Sequence, residues 1–145
     1  MASLSVPARK GRETARTSGG VVSVAELDSN LRLKDWIGKT VEVVVDRPLG
    51  SGHPIHADII YEVNYGYIPG TLAPDGDELD VYVLGADGPL ARCRARVVAI
   101  VRRRDDVEDK LVASMAGAWN KDAIAAMVHF QERFFDSWVE LPASG

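Results

Sequence analysis

Four carboxylates fall within six residues in the middle of the chain, in the stretch TLAPDGDELDVYVLG (71 to 85): Asp75, Asp77, Glu78 and Asp80. Like charges at this spacing repel unless water, a basic side chain or a metal ion offsets them. Pro74 and Gly76 put Asp75 and Asp77 in a tight turn, and Asp80 opens a run that alternates like a strand, so the three aspartates face toward one point. Hard divalent cations such as magnesium take carboxylate oxygens and keep several waters, which suits aspartates on a turn. An EF-hand is excluded, because the twelfth residue from Asp75 is Ala86, where that loop requires glutamate. Taken alone, the cluster reads equally as a solvated turn, since Asp and Gly favour turns anyway.

A second acidic group follows in RRRDDVEDK (102 to 110), where Asp105, Asp106, Glu108 and Asp109 stand between three arginines and Lys110. Two acidic turns interleaved with Arg and Lys are what a site for metal and phosphate needs: carboxylates hold the cations, and basic side chains neutralise phosphate oxygens. The histidines say less. His53 and His56 share a Pro/Gly loop without the spacing of a zinc hydrolase, and His129 is expected to pack against the sheet. Cys93, between Arg92 and Arg94, is expected to have a lowered thiol pKa but has no recognisable base beside it. No GxSxG elbow, Walker loop or dinucleotide fingerprint occurs.

The elements that must position these residues are mostly strands. Val41, Val43 and Val45 alternate with Glu42 and Val44, the stretch 59 to 72 is aromatic and β-rich, and ELDVYVLG, RARVVAIVRRR and DKLVAS read as three more strands. In the longest of them Val97, Ala99 and Val101 are expected on one buried face. Before them, a short helix or turn around Leu31 to Trp36 ends at Gly38. From Asn120, a good N-cap, Ile124, Met127, Val128, Phe134, Phe135 and Trp138 follow a 3.6-residue repeat, which predicts an amphipathic helix over 121 to 138, with Trp138 in the core. The fold class expected is α+β, mainly β: a small barrel or sandwich of several short strands with a C-terminal helix packed on it.

The chain's 145 residues suit one domain, expected over 21 to 145, and 46% hydrophobic with 26% charged residues is an ordinary globular composition. Residues 1 to 20, rich in Ser, Gly, Arg and Lys, are expected to form a disordered tail. A net charge of -4 argues against nucleic acid or an anionic membrane as the main partner. One cysteine and no apolar run of spanning length fit a reducing, cytoplasmic setting. Oligomeric state is left open, a homo-oligomer included.

Read together, NYGYIPGTLAPDGDELDVYVLG resembles the signature region of the soluble, magnesium-dependent inorganic pyrophosphatases, in which an Asp-x-Asp-x-x-Asp turn follows Asn-Tyr-Gly-Tyr. The resemblance extends more weakly through RVVAIVRRRDDVEDKLVAS and HFQERFFDSWVEL, over roughly residues 39 to 141. It implies a five-stranded, OB-like barrel and hydrolysis of pyrophosphate, a small phosphate substrate, to two phosphates. By motif position it implies Asp75 and Asp80 as ligands of magnesium (manganese accepts the same oxygen donors), with Asp77 as the base that deprotonates the attacking water. Asp106, with Glu108 or Asp109, would complete the metal ligands, and Lys110, Tyr65, Arg47 and Asp46 would serve the substrate.

The departures are as informative. The family's tyrosine-lysine pair near the C-terminal helix is Phe134 and Phe135 here, Asp46 stands where a glutamate is expected, and His56 where a lysine is. Each lost cationic contact costs on the order of 2 to 4 kcal/mol of transition-state stabilisation. The basic and imidazole groups left to compensate are Arg47, His53, His56 and Arg102 to Arg104. Two other outcomes are compatible with these losses: action on another diphosphate, or a weakly active metal- and phosphate-binding module.

Overall fold

The computed structural model describes residues 33–71, 76–104 and 109–142. The N-terminal tail, Asp75, Asp105, Asp106 and Glu108 therefore lie outside the described residues. A 3-10 turn, Leu33–Trp36, closes at Gly38 and leads into β1 (Thr40–Arg47), β2 (Asn64–Ile68), β3 (Leu79–Leu84), β4 (Arg92–Arg103) and β5 (Lys110–Ser114). Then come α1 (Lys121–Glu132) and β6 (Ser137–Glu140).

The sheet order β1-β2-β3-β5-β4-β6 is closed by an extra β1–β4 pairing, so the first five strands form a ring and β6 extends it from β4. Among the described strands, only β3 and β5 run parallel. The valine alternation read in β1 sends Val41, Val43 and Val45 inward, where they meet Ile68, Val81, Val83, Val97, Ile100 and Leu111. All five ring strands thus contribute to one interior core. The five-stranded, helix-covered architecture expected from the sequence is the one observed.

A second core lies outside the ring. Tyr65, Tyr82, Leu84, Ala99, Val101 and Val112 turn outward and are covered by Ile124, Val128 and Phe130 of α1 and by Val139 of β6. The expected single face for Val97, Ala99 and Val101 is corrected here. Val97 pairs with Ala113 and Ala99 with Val112, so Val98 is an extra residue, and this β-bulge moves Ala99 and Val101 to the outer core while Ile100 takes the inner one.

Asn64 is fully buried; its Oδ1 accepts from the Leu49 and Leu90 amides at 3.0 and 3.1 Å, and its Nδ2 donates to the Gly88 carbonyl at 3.0 Å. It joins two loops to β2, a structural task. Asn64→Ala orphans these groups and is expected to cost about 2 to 4 kcal/mol, read as a lower urea midpoint at unchanged slope.

The helix is shorter than its periodicity predicts. Asn120 caps α1, accepting from the Ala123 amide at 2.8 Å, as expected. However, α1 ends at Glu132, the Phe134 and Phe135 amides bond back to Gln131 and Glu132 in a tightened last turn, and Ser137 to Glu140 pair with the exposed edge of β4. A ladder with Val139 opposite Val101 wins over continuing the helical repeat. Phe134, Phe135 and Trp138 are thus off the helix, and Trp138, expected in the core, is 41% exposed beneath the Arg104 guanidinium at 4.7 Å. His129 likewise faces solvent rather than the sheet.

Candidate active site

Because β3 and β5 are parallel neighbours, their first residues, Leu79 and Lys110, lie at the same end of the sheet, each preceded in sequence by one of the acidic stretches. Gly76 in the first turn adopts φ 90°, a left-handed conformation open to glycine at little cost. It delivers the half-buried Asp77 two residues ahead of β3. Asp80 and Tyr82 then point outward, as do Lys110 and Val112 on β5, since Val81 pairs with Leu111 and both face the inner core.

The outer face collects four of the residues singled out in the sequence. Lys110, only 4% exposed, donates to Asp80 Oδ2 at 2.6 Å, and its ammonium lies 5.9 Å from the Tyr65 ring centre. Tyr65 pairs across β2 with Tyr82 on one side and Arg47 on the other. Arg47 reaches that register because Asp46 is the extra residue of a second bulge, between the Val45–Gly66 and Arg47–Tyr65 pairs. Asp46 is buried and sits 3.8 Å from the Arg47 guanidinium, which also donates to the Asp46 carbonyl at 3.0 Å.

Asp109 takes a different position. Its Oδ1 accepts from the Arg103 amide and its Oδ2 from the Arg102 guanidinium, both at 3.0 Å, so it ties the loop to β4. Arg102 also bonds Glu140 of β6 at 2.8 Å; that hydrogen bond raises the Arg102 pKa against a burial effect and lowers that of Glu140.

Under this face runs a polar network that the sequence reading did not detect. Arg103 and Glu132 form a buried pair, with bonds of 3.1 Å to Oε1 and 2.7 Å to Oε2. Tyr82 donates to Glu132 Oε2 at 2.6 Å, Gln131 Nε2 donates to the Tyr82 hydroxyl at 2.7 Å, and Tyr61 donates to Gln131 Oε1 at 2.6 Å. Burial pushes the Tyr82 phenol well above its ordinary pKa, reinforced by Tyr65 and Glu132. Burial also raises Tyr61, with the neighbouring Arg47 opposing it. For Arg103, burial works against the charge but the Glu132 bonds outweigh it, so the guanidinium is held protonated even more firmly than usual. A signal was present in the sequence: Gln131 and Glu132 follow Ile124 and Val128 at helical spacing, a polar pair on an apolar face.

The remaining candidates are placed elsewhere or in other roles. His53 Nδ1 accepts from the Ile55 and His56 amides at 3.0 and 3.1 Å, which commits that nitrogen to the loop's own turn. Its ring stacks toward Tyr61 at 6.3 Å, and burial, then His56 and Arg47, depress its pKa. Arg92 pairs with Glu42 and not with Cys93, whose thiol is raised by burial, contrary to the lowering expected from its arginine neighbours. Phe135 carries the Arg103 guanidinium 3.7 Å above its ring.

The donor set suits a hard divalent cation. Asp77 and Asp80 offer carboxylate oxygens, and Asp80 is paired with the Lys110 ammonium. Among the described residues no cluster of three His, Cys, Asp or Glu ligands is assembled, and Asp75, Asp106 and Glu108 are outside that set. Among the described residues, too, no helix is long and apolar enough to cross a membrane.

Comparison with known proteins bears on this geometry. The inorganic pyrophosphatase of Neisseria meningitidis serogroup A is 36% identical over 109 residues, covering 61% of this chain and 61% of that protein. The inorganic pyrophosphatase of Aquifex pyrophilus is 34% identical over 92 residues, 50% of this chain and 52% of that one. The chain thus spans between about half and six tenths of these relatives' length. In fold it is similar to the inorganic pyrophosphatase of Ehrlichia chaffeensis, with TM-score 0.58 at 20% identity over 77% of this chain and 92% of the other. It is also similar to that of Coxiella burnetii, with TM-score 0.55 at 24% identity over 73% and 85%. The family model for inorganic pyrophosphatase matches residues 28–138, a span that holds the ring, both acidic turns and the Lys110–Asp80 pair, and the chain belongs to that family.

Proposed function

We propose that the chain hydrolyses inorganic pyrophosphate to two phosphates with magnesium as cofactor, in the cytoplasm. The observation that carries this reading is the Lys110–Asp80 pair beside Tyr65, at the sheet end where β3 and β5 begin. Asp75, Asp80, Asp106 and Glu108 are the ligands we assign to the metal. Of Glu108 and Asp109 we choose Glu108, because both Asp109 oxygens serve Arg102 and the Arg103 amide. When bound, the divalent cations supply Lewis acidity and neutralise part of the diphosphate charge.

The chain's own residues do the rest. Asp77 accepts the proton of the attacking water at its carboxylate. Lys110 and Arg47 donate to phosphate oxygens, and the Tyr65 hydroxyl adds a neutral donor between them. Asp46 is a carboxylate and would repel phosphate; it pairs with Arg47 and orients it. Each cation on this face is thereby held in place by a carboxylate before substrate arrives, the preorganisation that electrostatic catalysis requires.

The test is a substrate panel. Purified chain with magnesium is expected to release two phosphates per pyrophosphate and to act far more slowly on nucleoside diphosphates. Faster release from a nucleoside diphosphate would overturn the assignment of substrate, and no release from either would overturn the enzymatic reading.

A further inference from the structure

Arg103 and Glu132 are too buried, at 4% and 5% side-chain exposure, to touch a phosphate, yet they end a chain of directed hydrogen bonds whose tyrosines pack against Tyr65 of the candidate site. An ionised Glu132 only accepts, so Tyr82 must donate to it; the Gln131 amide then donates to Tyr82, and its carbonyl is left to accept from Tyr61. The tyrosines also wall in Tyr65, whose ring centre lies 4.9 Å from that of Tyr82 and 5.5 Å from that of Tyr61. Phe135 seals the other end by stacking on Arg103. Each hydroxyl in the chain has one orientation, and the Tyr65 ring is held from behind by Tyr82 and Tyr61.

We propose that Glu132, fixed by Arg103, is the anchor of a positioning network (Tyr82, Gln131, Tyr61) that sets diphosphate affinity by holding Tyr65 in its binding geometry. The inference rests on the pyrophosphatase reading and deepens it. None of the network residues is a catalytic residue, so the effect should appear in binding rather than in the chemical step.

Two variants test it: Tyr82→Phe, which removes a single oxygen, and Glu132→Gln, which keeps the shape but not the charge. Each is compared with the full-length chain in three ways: KM and kcat for pyrophosphate, calorimetric binding of methylenediphosphonate with magnesium, and thermal unfolding. Tyr82→Phe is expected to weaken diphosphonate binding and raise KM by about fivefold to tenfold while kcat changes less than about threefold. Glu132→Gln is expected to do the same more strongly; if it does not fold, Tyr82→Phe alone decides. A lower unfolding temperature with unchanged diphosphonate affinity and KM would overturn the inference and leave a purely structural network, as would a fall in kcat at constant KM. A wild-type chain that binds no diphosphonate would instead overturn the pyrophosphatase reading, and the positioning role with it.

Discussion

Gly66→Ala is expected to destabilise the fold by about 4 kcal/mol or more and to sharply reduce soluble yield. A Cβ built on Gly66 would lie 1.9 Å from the Val44 carbonyl oxygen and 2.8 Å from the Val44 carbonyl carbon and the Val45 Cα. All three are backbone atoms, so no side-chain rotation relieves the clash; β1 and β2 would have to part. Gly66 faces Val45 in the register, one pair before the bulge that carries Asp46 and Arg47, and the ring closes through the same β1. A shift there therefore disturbs the ring and moves Arg47 away from Tyr65. Urea unfolding of Gly66→Ala measures it directly. Stability within about 1 kcal/mol of the parent would contradict the close β1–β2 approach, since an added methyl in a well-packed core already costs roughly 1 to 3 kcal/mol.

Much of the architecture was legible because strand alternation reports burial directly. The β1 valines, the ELDVYVLG strand and the Asn120 cap all lie where their local pattern put them. What failed were features decided by distant partners. The bulge at Val98 is invisible in the alternation of β4, because it depends on the register with β5 and inverts which residues face inward beyond it. The end of α1 was misjudged because Phe134, Phe135 and Trp138 keep a helical spacing, while the free edge of β4, a tertiary feature, captures Ser137 to Glu140.

The site divides in the same way. The family resemblance singles out Asp77, Asp80, Tyr65 and Lys110, and the parallel β3–β5 pairing explains why Asp80 and Lys110, distant in sequence, meet at one end of the sheet. Asn64, inside the same motif, is a loop tie. The network of Tyr61, Tyr82, Gln131, Glu132 and Arg103 was missed because its members come from a loop, two strands and a helix, and no local spacing relates them. It also accounts for Phe135. A residue that appeared only to delete an anion contact forms the apolar plate on which Arg103 rests.

The largest catalytic effect is expected from Asp77→Asn. The side chain keeps its size and its place in the Gly76 turn, but an amide accepts a proton far less readily than a carboxylate, so the attacking water loses its base. Removing a positioned general base costs typically 10²- to 10⁴-fold, and a loss of about 10³ in kcat is expected here. Metal affinity should fall little, because the ligands proposed above, Asp75 and Asp80, are unchanged. The decisive measurement is phosphate release from pyrophosphate by the wild-type chain and Asp77→Asn in parallel, across a magnesium titration. Magnesium-dependent release by the wild type, lost in the variant while the variant still binds magnesium, is the predicted result. Equal release by both would contradict the role given to Asp77, and absence of release from a folded, magnesium-binding wild type would contradict the account as a whole.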